Sequence, residues 1–354
     1  MRSRWRSIIL FKLLFLFIMI NPLYGGQWIN PKDAIKDPNI ARLNHRETGL
    51  TKEELEEINR YGYTGLEIMT YLDCNAMPGR DHDYVQDIIQ INSWGHITHR
   101  RSMQKQKHLF KDYKTLLSYD GIKVGDVEYR YMWFSFHPPR SRGNAGVVRR
   151  YVRGEGFDKV EDGWWWNNKL RKISKSTTRS RADSYINSDV TLDDLRYREP
   201  WEENHRILGI DKFKARECFV IESLNKDSNY YLSKRVVWVE KENFVELHIE
   251  EFDKKGRLFK VIDKDWVQIK PWNYWVVQFW DTYSILTKYR TFIINYDWLF
   301  DQGFSEREFS QRVLPKESLW RRSKTPPISV NSVSDLPQPP KVKLDFWAGV
   351  KNKG

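Results

Sequence analysis

Trp164-Trp-Trp-Asn-Asn-Lys-Leu-Arg-Lys-Ile-Ser-Lys-Ser-Thr-Thr-Arg-Ser-Arg-Ala-Asp-Ser-Tyr-Ile-Asn-Ser-Asp-Val-Thr-Leu-Asp-Asp-Leu195 is the stretch on which the reading of this chain turns. An aromatic strand leads into a basic run, and small polar residues then close on a helix start at Thr191. Such a block suits a surface that meets amphiphiles better than a catalytic pocket. Just upstream, Asp162-Gly163 is a hairpin signal, so Lys159 to Ile173 is expected to fold about it.

Strand signals recur on both sides. Before the block lie a run from Tyr84 to Ile91, the turn Ser93-Trp-Gly95, a polar strand from Ile97, Tyr129 to His137 bounded by Pro138-Pro139, and Val147 to Val152. After it come Glu217–Leu224, Lys234–Val239, Phe244–Phe252, Leu258–Ile269, Trp272–Trp280 and Tyr289–Tyr296, with Asp253-Lys-Lys-Gly256 as another hairpin connection. One helix stands out, Lys52 to Tyr61, opened by the capping-box pattern Thr51-Lys-Glu-Glu54. Many short strands with few helices predict a mainly β fold, an antiparallel curved sheet forming an open barrel covered by a few helices.

The central block also resembles the outer-membrane lipoprotein-sorting family, the LolA-like periplasmic carriers. The matching residues are Asp183-Ser184-Tyr185, Ser188-Asp189 and Leu192-Asp193-Asp194-Leu195, with Asn187 where the family has its second glycine. Arg235-Val-Val-Trp-Val-Glu240, Glu250 to Gly256, Leu258-Phe-Lys260 and Asn295 to Phe309 extend the likeness, which covers about Asp87 to Leu314. The stretch from His108 to Val127 reads as an insertion. The resemblance implies a lid over a sheet whose concave face binds acyl chains of lipoproteins or lipids. It also implies traffic from an inner-membrane transporter toward an outer-membrane acceptor, without catalysis.

The beginning of the chain bears on its compartment. Arg2, Arg4 and Arg6 precede an apolar run from Ile8 to Ile20 and then Asn-Pro-Leu-Tyr-Gly-Gly, as in a secretory signal peptide. The uninterrupted apolar piece, Leu13 to Ile20, is too short to span a bilayer. Cleavage is expected after Gly25, giving a periplasmic protein. The expected organisation is a signal peptide over 1–25, a segment with a lid helix over 26–83, the open barrel over 84–320, and a loose, Pro-rich tail over 321–354. Net charge is +12; removing Arg2, Arg4, Arg6 and Lys12, with no acid among the first 25 residues, leaves +8. Export argues against nucleic acid as the partner of that charge, and acids interleave with bases nearly everywhere. The exception is Lys169 to Arg181, where Lys169, Arg171, Lys172, Arg179 and Arg181 are expected at a rim that meets anionic head groups. Cys74 and Cys218 would enter an oxidising space, where they form one disulfide or leave Cys218 as a buried thiol in a strand.

Catalytic constellations are hard to assemble. There is no His-Glu-x-x-His, Gly-x-Ser-x-Gly, phosphate loop or Cys-x-x-Cys. Asp81-His82-Asp83 is the best metal-like cluster, but adjacent loop residues do not converge on one ion, so no metal, cofactor or enzyme activity is expected. Asp183, Ser184, Asp189, Thr191 and Asp194 read as a structural turn and helix cap.

Aromatic residues are in excess, with 16 Trp, 18 Tyr and 18 Phe. Strict alternation places Trp272, Tyr274 and Trp280 on one face of their strand and Trp275 on the other, and both faces are largely apolar. A solid core accounts for part of this surplus. The rest predicts a cavity for acyl chains, walled by Trp164 or Trp166, Trp238, and Trp272, Tyr274, Trp275 and Trp280. The reading without a ligand is an accessory or structural subunit of an inner-membrane RND-type exporter.

Overall fold

The computed structural model describes residues 50–75, 79–109, 125–152, 159–175, 180–195 and 198–321, with 323, 325, 326, 328, 332 and 336–343 of the C-terminal stretch. The expected signal peptide, Arg179, and nearly all of the insertion lie outside the described residues.

Helix α1 is Lys52–Tyr61, as its cap pattern predicts. The Thr51 hydroxyl accepts from the Glu54 N–H at 3.2 Å, and the Glu54 carboxylate accepts from the Thr51 N–H at 2.8 Å. Gly62 ends the helix with φ +83°, where a side chain would be strained. Helix α2, Gly65–Asn75, was not anticipated. Its signal is a second capping box, Thr64-Gly-Leu-Glu67, with Thr64 N–H to Glu67 at 2.7 Å and Glu67 N–H to Thr64 at 3.1 Å.

The strands are β1 (Asp81–Ile91), β2 (Ile97–His108), β3 (Val127–His137), β4 (Ala145–Tyr151), β5 (Glu161–Asn167), β6 (Lys172–Lys175), β7 (Glu203–Phe213), β8 (Arg216–Asn225), β9 (Leu232–Glu240), β10 (Glu246–Asp253), β11 (Leu258–Ile269), β12 (Tyr274–Ser284) and β13 (Arg290–Phe300). They form one 13-stranded sheet in the order β6-β5-β4-β3-β2-β1-β13-β12-β11-β10-β9-β8-β7. Two antiparallel meanders therefore meet where β1 pairs with β13, with Ile88 opposite Ile293. Strands β6 and β7 remain as edges, so the sheet is curved but unclosed, the expected open-barrel class.

Alternation gives the sheet two differently clothed faces. On the concave face of the second meander, Ile207, Phe219, Ile221, Val237, Val239, Ile249 and Ile262 pack against Ile68, Met69, Tyr71 and Leu72 of α2. Glu57 of α1 fastens these helices by accepting from the N–H groups of Gly65, at 2.9 Å, and Ile207, at 2.6 Å. A Cβ on Gly65 would sit 3.0 Å from the His205 backbone, so glycine permits this close approach. On the convex face of the first meander, Val85, Met103, Met132, Phe134, Val147 and Trp166 are covered by Phe309, Leu314 and Trp320.

The described residues of the C-terminal stretch are tied to the sheet. Arg101 donates to the carbonyls of Thr325 and Pro326, each at 3.0 Å, and Arg290 to those of Pro337 and Gln338, at 2.6 and 2.9 Å. Lys343 reaches Asp211 at 2.5 Å. Proline removes a donor but leaves its carbonyl, and guanidiniums fixed by Asp87 and Asp281 supply the matching N–H groups.

Three local expectations need correction, and of the two alternatives for Cys218 the structure has the buried thiol. Gly163 lies inside β5 opposite Val148, and the hairpin turn falls at Asn168–Arg171. There the Asn167 side chain accepts from the Lys169 and Leu170 N–H groups at 3.0 Å, and Arg171 takes φ +50°. Thr191 opens only a 3-10 turn, Asp193–Leu195, and no α-helix. Asp81, His82 and Asp83 belong to β1. Cys218 is a free, buried thiol, pushed up to about 12 by burial. It points into the convex-face cluster with Val220 and Trp238, whereas α2, which carries Cys74, packs on the opposite face against Phe219 and Ile221.

Candidate functional site

Among the described residues, no helix fills the concave face of the first meander. A cavity of about 410 Å³ opens there, within the size range of small-molecule sites. Tyr84, Tyr129, Tyr131, Trp133 and Trp165 wall it from the first meander, and Trp266, Trp275, Trp280 and Trp298 from the second. Trp133 can lie flat on β4 only because its neighbour is Gly146; a Cβ at that position would collide with the indole nitrogen.

Its floor is polar and connected. Gln104 Nε2 donates to Ser102 Oγ at 2.7 Å and to Gln86 Oε1 at 3.3 Å, and Gln86 Nε2 donates to Asn295 Oδ1 at 3.1 Å. The Tyr131 hydroxyl donates to Gln104, and Tyr185 donates to Gln86 at 3.1 Å. These groups share one face because Arg100, Ser102 and Gln104 recur at period two on β2, as do Tyr129, Tyr131 and Trp133 on β3.

The segment 180–195 forms the inner lip of the cavity. It folds back on itself through a Ser184–Thr191 bridge, Tyr185 N–H to Val190 O at 2.7 Å, and Ser188 N–H to Tyr185 O at 3.0 Å. Ile186 and Asn187 occupy the turn at φ +54° and +58°. Asparagine tolerates that conformation where the lipoprotein-sorting signature has glycine, but a β-branched residue there is strained. Ile186, Tyr185, Val190 and Leu195 pack on Ile88, Trp280 and Ile293.

A closed ionic ring anchors this segment to the second meander. Lys260 Nζ lies 2.6 Å from both Asp194 and Glu251, and Arg198 lies 3.1 and 2.8 Å from the same two carboxylates. All four side chains are buried. Burial works to raise the Glu251 carboxyl, but Lys260 and Arg198 outweigh it and hold it well below the carboxylate range. Burial, followed by repulsion from Glu251, raises Asp194. Thr191 and Asp194 also cap each other, at 2.7 and 3.3 Å, and Ser184 Oγ donates to Ser188 O at 2.6 Å. The Asp183 carboxylate accepts from the Ser180 N–H at 3.0 Å. Asp189 accepts a long 3.4 Å bond from Thr287, and burial pushes its carboxyl up to about 6.

The other residues singled out in the sequence are dispersed. Trp164 and Trp166 project to the face opposite Trp165, and Trp166 is buried against the C-terminal cover. Trp238 packs in the convex-face cluster, its indole donating to Asp211 at 2.9 Å. Trp272 and Tyr274 pack around Phe300, away from the cavity. Trp275 and Trp280 line it together although alternation assigns them opposite faces. A bulge on β12 explains this: Asp265 pairs with Phe279 and Trp266 with Val277, leaving Gln278 outside the ladder. Lys169 and Lys172 are exposed, and Arg171 stacks over Trp166 on the convex side. Arg181 is not a rim cation. It is held by Glu202 at 2.6 Å and Asp193 at 3.5 Å. Among the described residues no group of His, Cys, Asp and Glu is arranged to hold a metal ion.

Comparison with known proteins agrees with this architecture. A family model whose description reads only as an uncharacterized protein matches residues 129–316, just over half of the chain. The chain belongs to that family. A solved domain from Vibrio parahaemolyticus, named for outer membrane lipoprotein sorting, superposes with a TM-score of 0.58 at 22% identity, over 71% of this chain and 98% of its own. A DUF1329 family protein from Desulfovibrio piger superposes with a TM-score of 0.59 at 19% identity, over 71% and 97%. The fold is therefore LolA-like. No curated protein matches the sequence. Among the described residues no helix is long and apolar enough to cross a membrane.

Proposed function

We propose that this protein is a non-catalytic carrier, exported to the periplasm, that shields the acyl chain of a lipid or lipoprotein in the concave-face cavity. The observation that carries the reading is the wall of that cavity. Six indoles (Trp133, Trp165, Trp266, Trp275, Trp280 and Trp298) surround a space that no helix fills among the described residues. Large rigid rings offer contact area to a flexible chain at little entropic cost. Fully burying one large apolar side chain is worth about 1.5–3 kcal/mol, so a few ring contacts suffice for micromolar holding. The LolA-like fold, and the name of its relative from Vibrio parahaemolyticus, support the same class of role.

The test is direct. Tryptophan emission of the purified protein should shift to the blue or be quenched as a long-chain fatty acid is titrated in, and native mass spectrometry should find one bound amphiphile. No spectral change and no retained lipid would leave the accessory-subunit reading in its place.

A further inference from the structure

The cavity wall holds four Lys and Arg side chains: Arg100, Arg101, Arg150 and Lys264. Three are neutralised locally. Arg101 clamps Asp87 through two bonds, at 2.8 and 2.9 Å. Arg150 lies 3.0 Å from Glu128 and 2.7 Å from Glu199. Lys264 pairs with Glu246 beneath the Trp280 ring. Arg100 is the exception. It is half-buried and has no carboxylate partner among the described residues, and the cation whose charge acts on it is Arg140, in the 3-10 turn Pro139–Ser141 next to the cavity-lining Ser141. Burial, and then this repulsion, depress the Arg100 pKa.

A half-buried guanidinium under the repulsion of a second one is unfavourable in the empty protein, and a bound anion removes the cost. Arg also offers a planar fork of donors that fits a carboxylate or phosphate through two parallel bonds. Ser102, two residues along β2, offers a hydroxyl on the same wall, beside the Ser135 and Ser141 hydroxyls, which lie 3.0 Å apart. The geometry points to Arg100, with Arg140, as an anion clamp at the cavity's polar end. It recognises the negatively charged head group of an amphiphile whose chain runs among the indoles. This deepens the carrier reading and rests on it: the cargo is an anionic amphiphile, not a neutral one.

The experiment compares oleate, oleoyl lysophosphatidic acid and oleyl alcohol by tryptophan fluorescence at low salt, with inorganic phosphate as competitor. Both anionic amphiphiles should bind the wild-type protein at least tenfold more tightly than the alcohol. Arg100→Gln should erase most of that gap with an unchanged melting temperature, since no partner is lost. Arg100→Lys should keep part of the gap, Arg100→Gln/Arg140→Gln should abolish it, and alcohol binding should stay constant throughout. Equal binding of oleate and oleyl alcohol by the wild type overturns the clamp but leaves the carrier reading intact. So does a gap that survives in the double variant. Displacement of oleate by millimolar inorganic phosphate overturns the head-group assignment in favour of a free-anion site. Binding of none of the three amphiphiles overturns the carrier reading and the clamp together.

Discussion

The two meanders of the sheet share a topology but treat their concave faces differently. In the second, that face presents mostly aliphatic side chains, Val237, Val239, Ile249 and Ile262, with Phe219 among them, and these are sealed under α2. In the first, the same face presents Tyr84, Tyr131, Trp133 and Trp165 above a floor of glutamines, and no described helix covers it. Aliphatic side chains have no polar atoms to satisfy, so they pack to density under a helix. Tyrosines and glutamines need partners, and they find them in one another along the floor of a cavity that stays accessible. One half of the sheet is built for stability and the other for occupancy, with the buried ionic ring at the seam.

That contrast can be broken at the seam. Lys260→Met leaves the buried Asp194 and Glu251 carboxylates to share Arg198 alone, and should destabilise the fold by about 3–5 kcal/mol in a denaturant titration. A double change that also neutralises Glu251 should recover much of the loss. The sealed half comes next. Ile68→Ala, at a fully buried position, should cost about 2–4 kcal/mol while leaving amphiphile affinity unchanged in the folded protein. In the open half, Trp165→Ala should do the reverse, weakening amphiphile binding by roughly tenfold with little effect on melting. Equal stability losses in these two variants would erase the distinction between the halves.

The smallest effect concerns pH at the lip of the cavity. The folded Asp189 carboxyl is raised to about 6 by burial, above its ordinary value of 3.8. The folded state therefore binds the proton more tightly than the unfolded chain. This contribution is fully present below pH 3.8 and is lost as pH rises through about 6. Asp189→Asn, which mimics the protonated form, should raise the melting temperature relative to wild type at pH 7.5, with the advantage gone near pH 4. The same advantage at both pH values would show that the carboxylate's ionisation is not the cause.

What could be read from the residues alone was whatever depends on near neighbours. The Thr51–Glu54 box placed α1, Asp253 to Gly256 placed a hairpin, and the run of short apolar strands implied an open antiparallel sheet. Helix α2 is equally legible in Thr64 and Glu67. Strand β7 was obscured because its edge position keeps it polar and a bulge before Gly209 interrupts its alternation. Side-chain destinations required the tertiary structure. Alternation says that Trp165 opposes Trp164 and Trp166, but only the sheet's curvature says which side encloses a space. A single bulged residue, Gln278, brought Trp280 to the face of Trp275. The charges at Arg181 and Arg100 look alike in sequence; one is consumed by Asp193 and Glu202, while the other lines the cavity with no counter-ion among the described residues. Local propensity and period are properties of a few consecutive residues, whereas enclosure and charge pairing are set by residues far apart in the chain, and those meet only on folding.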